Sequence, residues 1–143
     1  MLFVCIELAS LSSYILVAFH KESKVGGEAG MKYFIVGSVA SAVGIYGMSL
    51  LYLWSGDLSL DALAIRWAES DSVDPLAGIA VGLMLVAFGF KVGAAPFHLA
   101  APDAYAGASS PVAGLLATAS KAMGFVALMR ILVSVTMPLE GQA

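Results

Sequence analysis

The sequence predicts an all-α protein: a polytopic transmembrane bundle of about four helices, one of them broken near Gly93–Pro96. Three observations predict it. Hydrophobic residues make up 60% of the 143 and charged residues 12%, about half the charged share of an ordinary soluble domain. The mean hydropathy is +0.92. Four apolar runs, each near the roughly 20 residues a membrane-crossing helix needs, alternate with polar connections. In hydrocarbon every backbone N–H and C=O must be satisfied within the protein, and helices do this segment by segment.

The first helix is expected over 2–20, the second over 31–54, the third over 75–99 and the fourth over 111–135. The start lacks the basic flank of a secretory signal and carries Glu7 in its apolar run. A chain that opens directly on apolar residues is expected to be a fragment, its 1–143 lying within one membrane domain. The 20–30 connection holds Lys21 and Lys24, so the positive-inside rule places it on the cytoplasmic side. The 55–74 connection holds five acids and Arg66 and is expected opposite. Within it LSLDALAIRWA reads as a short interfacial helix with Trp67 near the headgroups. Pro75 and Pro111 stand where a helix start tolerates proline, because the first N–H groups have no helical partner.

Helix two carries a small-residue set, Gly37, Ser38, Ser41 and Gly44. Helix three carries Gly78, Gly82, Gly89 and Gly93 near one stripe, which is expected to seat a neighbouring helix closely. Lys91 projects roughly opposite that stripe at ~100° per residue. Pro96 has no N–H to give the carbonyl of Val92, and Gly93 weakens the same turn. An interruption at this depth is tolerated where the freed groups line water or protein.

Glu7, Lys91 and Lys121 lie deep in apolar runs, and Lys32 opens the second. Each ionisable group at the bilayer centre costs about 2.5–3.5 kcal/mol on insertion scales. They should therefore face one another or a wet cavity. Burial favours a neutral lysine and a nearby carboxylate favours a charged one. A lysine between those influences can exchange a proton, which arginine cannot do. His98, seven residues after Lys91, falls on the same side if helical geometry continues, and imidazole both gives and takes a proton. Plainer roles stand beside these. Lys32 and Arg130 can snorkel to headgroups, Glu7 can be a static partner, His98 can be an interfacial helix end, and Asp103 can cap or brace its connection.

Other chemistries are absent from the pattern. Cys5 is the single cysteine, and His20 and His98 have no ligand spacing. There is no glycine-rich nucleotide fingerprint, and no basic patch of the kind nucleic acid requires. The chain is expected to hold no metal, cofactor or redox centre of its own.

The run GFKVGAAPFHLAAPDAYAGASSPVAGLLATASK contains GFK, PFH, PDxYxGA, PV and LATxSK in order. IELASLSSY at 6–14, EAGMKYF at 28–34 and the LYxxSGDLS stretch at 51–59 precede it. Together these resemble subunit N of bacterial respiratory NADH:quinone oxidoreductase, complex I, over essentially residues 2–135. The resemblance implies an antiporter-like, proton-translocating membrane subunit built from inverted repeats, each with one broken helix. By position it makes Glu7 the intramembrane glutamate and Lys91 the broken-helix lysine paired with it. Lys121 becomes the connecting lysine, His98 the histidine after the break, and Lys32 a further lysine. It implies the inner (plasma) membrane, other complex I membrane subunits as partners, and NAD, FMN, iron–sulfur clusters and quinone held elsewhere in the complex. Ser12 stands where the family often has proline, and Ala100 where it often has tryptophan. The second repeat and its central lysine are missing. A subunit of a multi-subunit cation/proton antiporter and a truncated, non-pumping scaffold are the alternative readings.

Overall fold

The computed structural model describes residues 1–20, 22–70, 72 and 74–136. Lys21, one of the two lysines behind the expected orientation of the 20–30 connection, lies outside the described residues, as does Asp71 of the acidic connection. The described chain is helical throughout: α1 (Leu2–Val17), α2 (Lys24–Ser55), α3 (Leu60–Ala68), α4 (Pro75–Val92), α5 (Ala101–Gly107), α6 (Ser110–Leu115), a π-helical turn (Leu116–Ser120) and α7 (Lys121–Thr136). Lys24–Ser55, Pro75–Val92 and Ser110–Val133 are long and apolar enough to cross a membrane. The first helix is apolar but has 16 residues.

Local chemistry sets the boundaries. The second helix begins at Lys24 rather than 31, because Ser23 caps it by accepting the Gly26 N–H at 3.1 Å. Asp74 caps α4 at the Leu76 N–H, 2.8 Å away, with Pro75 in its first turn. The short interfacial helix is present as α3, capped by Ser59. Trp67 packs edge-on against Trp54 at 5.6 Å, and Arg66 lies over the Trp54 ring.

The third helix does not run to 99. It ends at Val92, where Gly93 takes the left-handed conformation (φ 73°, ψ 34°). The Ala94 N–H reaches the Gly89 carbonyl at 2.8 Å, and the Gly93 N–H reaches Phe90 at 3.1 Å. This is a Schellman stop, which favours glycine at its left-handed position. Gly93, rather than Pro96, ends the helix. Pro96 sits beyond it, after a cis peptide bond from Ala95, and α5 then fills most of the 100–110 connection.

The close-packed seam runs along the second helix, through Gly37 and Gly44 of its small-residue set. The buried face of α2 includes Gly26, Gly30, Gly37, Ala40, Gly44, Gly47 and Leu51, mostly at three- and four-residue spacing, so one face stays inward. A Cβ on Gly30 would meet the Ala18 Cβ at 2.7 Å, and one on Gly44 would meet the Ala87 Cβ at 2.8 Å. Small residues therefore let α2 sit directly against α1 and α4. On α4, Gly82 faces open space and Gly89 seats the Phe97 ring, so that glycine stripe seats no neighbouring helix at these two positions.

One end of the bundle is closed by Val17, Ala29, Ala104 and Leu116, and the other by Leu51, Leu63 and Ala80 beneath the tryptophan pair. In the turn before α3 the Asp57 carboxylate accepts the Ser59 N–H at 2.9 Å. Backbone donors at Ser59 and Leu58 hold its carboxyl below the usual 3.8. A lowered carboxyl adds stability above its unfolded pKa and loses it as pH falls through the folded one. Protection of the Ser59 amide, its exchange relative to an unstructured amide at the same pH, is expected to hold at pH 5 and to fall only well below pH 3.8, whereas in Asp57→Asn that protection should be independent of pH across the range.

Candidate functional site

The first helix carries Glu7, Ser10, Ser13 and Tyr14 within two turns, so these side chains share the side facing α2 and α4. Ser10, Ser13 and Tyr14 are buried. The Ser10 hydroxyl donates to the Ile6 carbonyl and the Ser13 hydroxyl to the Ser10 carbonyl, local bonds that keep serines compatible with a helix.

Lys91, in the last turn of α4, points into this face. Its ammonium is 3.5 Å from Glu7 Oε1, with side-chain exposures of 9% and 22%, and it donates to the Ser10 hydroxyl. The other carboxylate oxygen, Oε2, accepts from Ser41 of α2 at 2.6 Å. The Tyr14 and Phe90 rings flank the ammonium at 5.9 and 5.8 Å. The pair is therefore hydrogen-bonded on both partners, the condition under which a buried ion pair is tolerated. The lysine stem lies against α7, where a Cβ on Gly124 would meet the Lys91 Cβ at 3.0 Å.

Lys121 follows the π-helical turn. Its ammonium lies 5.4 Å from the Tyr105 ring centroid and closes on the end of α4, where a Cβ on Gly93 would be 3.2 Å from it. Tyr33, Lys91, His98, Tyr105, Ser120 and Lys121 line one small cavity of about 20 Å³. That volume holds about one water. Gly93→Ala is expected to strain the left-handed position by about 1–2 kcal/mol and to push Lys121 off the helix end. The yield of folded protein recovered from membranes should fall, whereas Gly82→Ala, whose added Cβ meets nothing within 4 Å, should leave it unchanged.

The profile of a membrane family described as "NADH:quinone oxidoreductase/Mrp antiporter, TM" matches residues 1–141. The chain belongs to this family. The NADH-quinone oxidoreductase subunit N of Desulfitobacterium hafniense is 44% identical over 133 residues, 92% of this chain and 26% of that protein. A chain of respiratory complex I from Thermus thermophilus with bound aureothin superposes with a TM-score of 0.77 at 39% identity, over 90% of this chain and 28% of that one. A chain of the membrane-bound sulfane sulfur reductase, an archaeal respiratory membrane complex, superposes with a TM-score of 0.80 at 27% identity, over 92% and 26%. The chain thus spans about a quarter of the length of the relatives it matches.

Within this antiporter-family chain the structure unites four of the five residues singled out from sequence. Glu7 and Lys91 pair directly, and Lys91, His98 and Lys121 share the cavity. His98 does not arrive by helical continuation, since α4 stops at Val92; the turn after Gly93 returns it. Lys32 stands apart. It is half-exposed and bridges Glu28 at 2.7 Å and Asp103 at 3.3 Å, so Asp103 braces its connection. Ser10, Ser41, Tyr33 and Ser120 were not singled out as site residues. Ser10, one turn after Glu7, carried a readable signal. Ser41 was visible only as a small packing residue.

Proposed function

We propose that this chain is part of the proton-translocating membrane subunit N of a respiratory NADH:quinone oxidoreductase. Electron transfer on cofactors held by other subunits drives the proton; this chain supplies titratable side chains and no redox group. The observation that carries the reading is the buried Lys91–Glu7 pair at the broken end of a membrane helix, with Lys121 across a water-sized cavity. Glu7 steadies the charged form of Lys91. Release of a proton from Lys91 leaves Glu7 to Ser41, and the proton moves into the cavity that His98 and Lys121 share. Lys32, in its exposed bridge to Glu28 and Asp103, belongs to the entry side of the path. The 20–30 connection faces the cytoplasm, and the other membrane subunits of the complex cover the apolar outer faces.

The test is NADH-driven proton uptake in vesicles carrying the full-length subunit with Lys91→Met. Normal assembly with an unchanged proton-to-electron ratio would sink the reading. A second reading, a subunit of a multi-subunit cation/proton antiporter, is favoured by the family description, which names both kinds of protein. Sodium efflux independent of NADH and quinone would select it.

A further inference from the structure

A second and larger space in the bundle shares no lining residue with the cavity between the lysines. It measures about 310 Å³ and is enclosed by Phe3 of α1, Met48 of α2, Leu63 of α3, Met84 and Phe88 of α4 and Ile131 of α7, and every residue lining it is apolar. An apolar cavity of about 150 Å³ already stays dry and takes up benzene, so this one suits hydrocarbon rather than water. A further helix, about 10–12 Å across with its side chains, would have to part these five helices to enter. A single hydrocarbon chain would not.

The cavity continues to the outer side of α2. Met48 and Leu58 line both it and an open groove formed with Ile45, Ser49, Tyr52 and Leu53. Ile45, Tyr52 and Leu53 are more than half exposed, on a helix long and apolar enough to cross a membrane. Groove and cavity together make an elongated apolar space leading from the outer surface into the bundle. Its inner roof is Leu51 and Leu63, packed under Trp54 and Trp67, and tryptophans favour the headgroup level. Arg66, one turn after Leu63, is the only cation of the 55–74 connection and stacks on Trp54 at 5.8 Å. No carboxylate pairs with it among the described residues, although the connection carries five acids. A stacked guanidinium keeps its edge donors for a phosphate.

We propose that this space holds one acyl tail of a zwitterionic phospholipid, with the lipid phosphate on Arg66 and its ammonium among Asp57, Asp61 and Glu69. These three carboxylates are exposed in and around α3. They repel a lipid of net negative charge and favour a headgroup that ends in an amine. The site lies outside the proton path and does not rest on it.

The experiment uses the full-length subunit assembled in its complex, in vesicles of phosphatidylethanolamine and phosphatidylglycerol. In one preparation the phosphatidylethanolamine carries a diazirine at the end of an acyl chain; in the other the phosphatidylglycerol does. After illumination, label at Met84 and Phe88 is measured by mass spectrometry relative to total label on the complex. Phosphatidylethanolamine is expected to label them more strongly than phosphatidylglycerol. Arg66→Gln leaves the cavity intact and should lower that label roughly tenfold, the cost of one hydrogen bond to a charged group. Val81→Phe adds a ring to the cavity wall and should abolish the label. No label at Met84 or Phe88 from either probe would show that protein fills the space and would overturn the site. Equal label from the two probes, or label indifferent to Arg66→Gln, would overturn the headgroup assignment and the proposal with it. If Val81→Phe fails to assemble, Arg66→Gln decides, because it changes an exposed side chain.

Discussion

Lys91→Met is expected to remove most of the proton flux through the full-length subunit. Methionine keeps the unbranched stem against Gly124 and the flanking Tyr14 and Phe90 rings, so packing changes little. What disappears is the ammonium, and with it the partner of Glu7 at 3.5 Å and the donor to Ser10. Removing one side of a buried pair costs about 3–5 kcal/mol if the other stays charged. Lys91→Arg separates the two roles of the side chain. Arginine restores the ion pair but does not release its proton, so assembly should recover and flux should not. Recovery of flux in Lys91→Arg, measured as vesicle proton uptake at equal complex content, would show a structural pair only.

Gly47→Leu is expected to have the largest effect on the fold. A Cβ at this position already meets the Ala80 carbonyl oxygen at 2.9 Å and the Leu83 Cβ and Met84 Cγ at 3.1 Å. The nearest of these is backbone, so it cannot turn aside, and α2 and α4 must separate. Overpacking a tight contact costs about 1–3 kcal/mol, and a leucine exceeds the one methyl that already clashes. Separation carries Ser41 away from Glu7 as well, since Ser41 and Gly47 lie on the same helix. Assembled subunit recovered from membranes should drop sharply. Gly27→Ala on the same helix is the contrast: nothing lies within 4 Å of its Cβ position. It should be neutral or stabilising by up to about 1 kcal/mol. Equal yields of Gly47→Leu and Gly27→Ala would refute the seam.

What the sequence made legible follows from the cost of polar groups in hydrocarbon. That cost marks out the apolar helices, and it requires Glu7 and Lys91 to find each other. It does not choose the remaining partners. Ser41 reaches Glu7 from 34 positions away, and only the α2–α4 approach brings it there. The helix break was legible in position but not in cause. Gly93 terminates α4 through its left-handed backbone and two capping bonds, and the proline follows. His98 was placed near Lys91 by counting along a helix that does not continue; the turn brought it to the same cavity by another route. Gly37 and Gly44 of α2 lie in the seam as their small-residue set suggested, whereas Gly82 of α4 faces open space. Spacing tells which residues share a face, while only packing tells which face is covered.

The length of α2 has a consequence for its membrane. Its 32 residues extend about 48 Å at 1.5 Å each, whereas the hydrocarbon core is about 30 Å thick. Its neighbour α4, with 18 residues, covers about 27 Å. The two helices cannot both match the same slab without adjustment. If α4 sets the depth, the excess of α2 stands in the headgroup layer or is taken up by tilt. Glu28 and Lys32 stand in the amino-terminal third of that excess-bearing helix and, with Asp103 of α5, give it a charged collar. Bilayer thickness thereby becomes a variable that acts on this protein: thicker lipid brings hydrocarbon up to the charged collar, and thinner lipid leaves it among the phosphates.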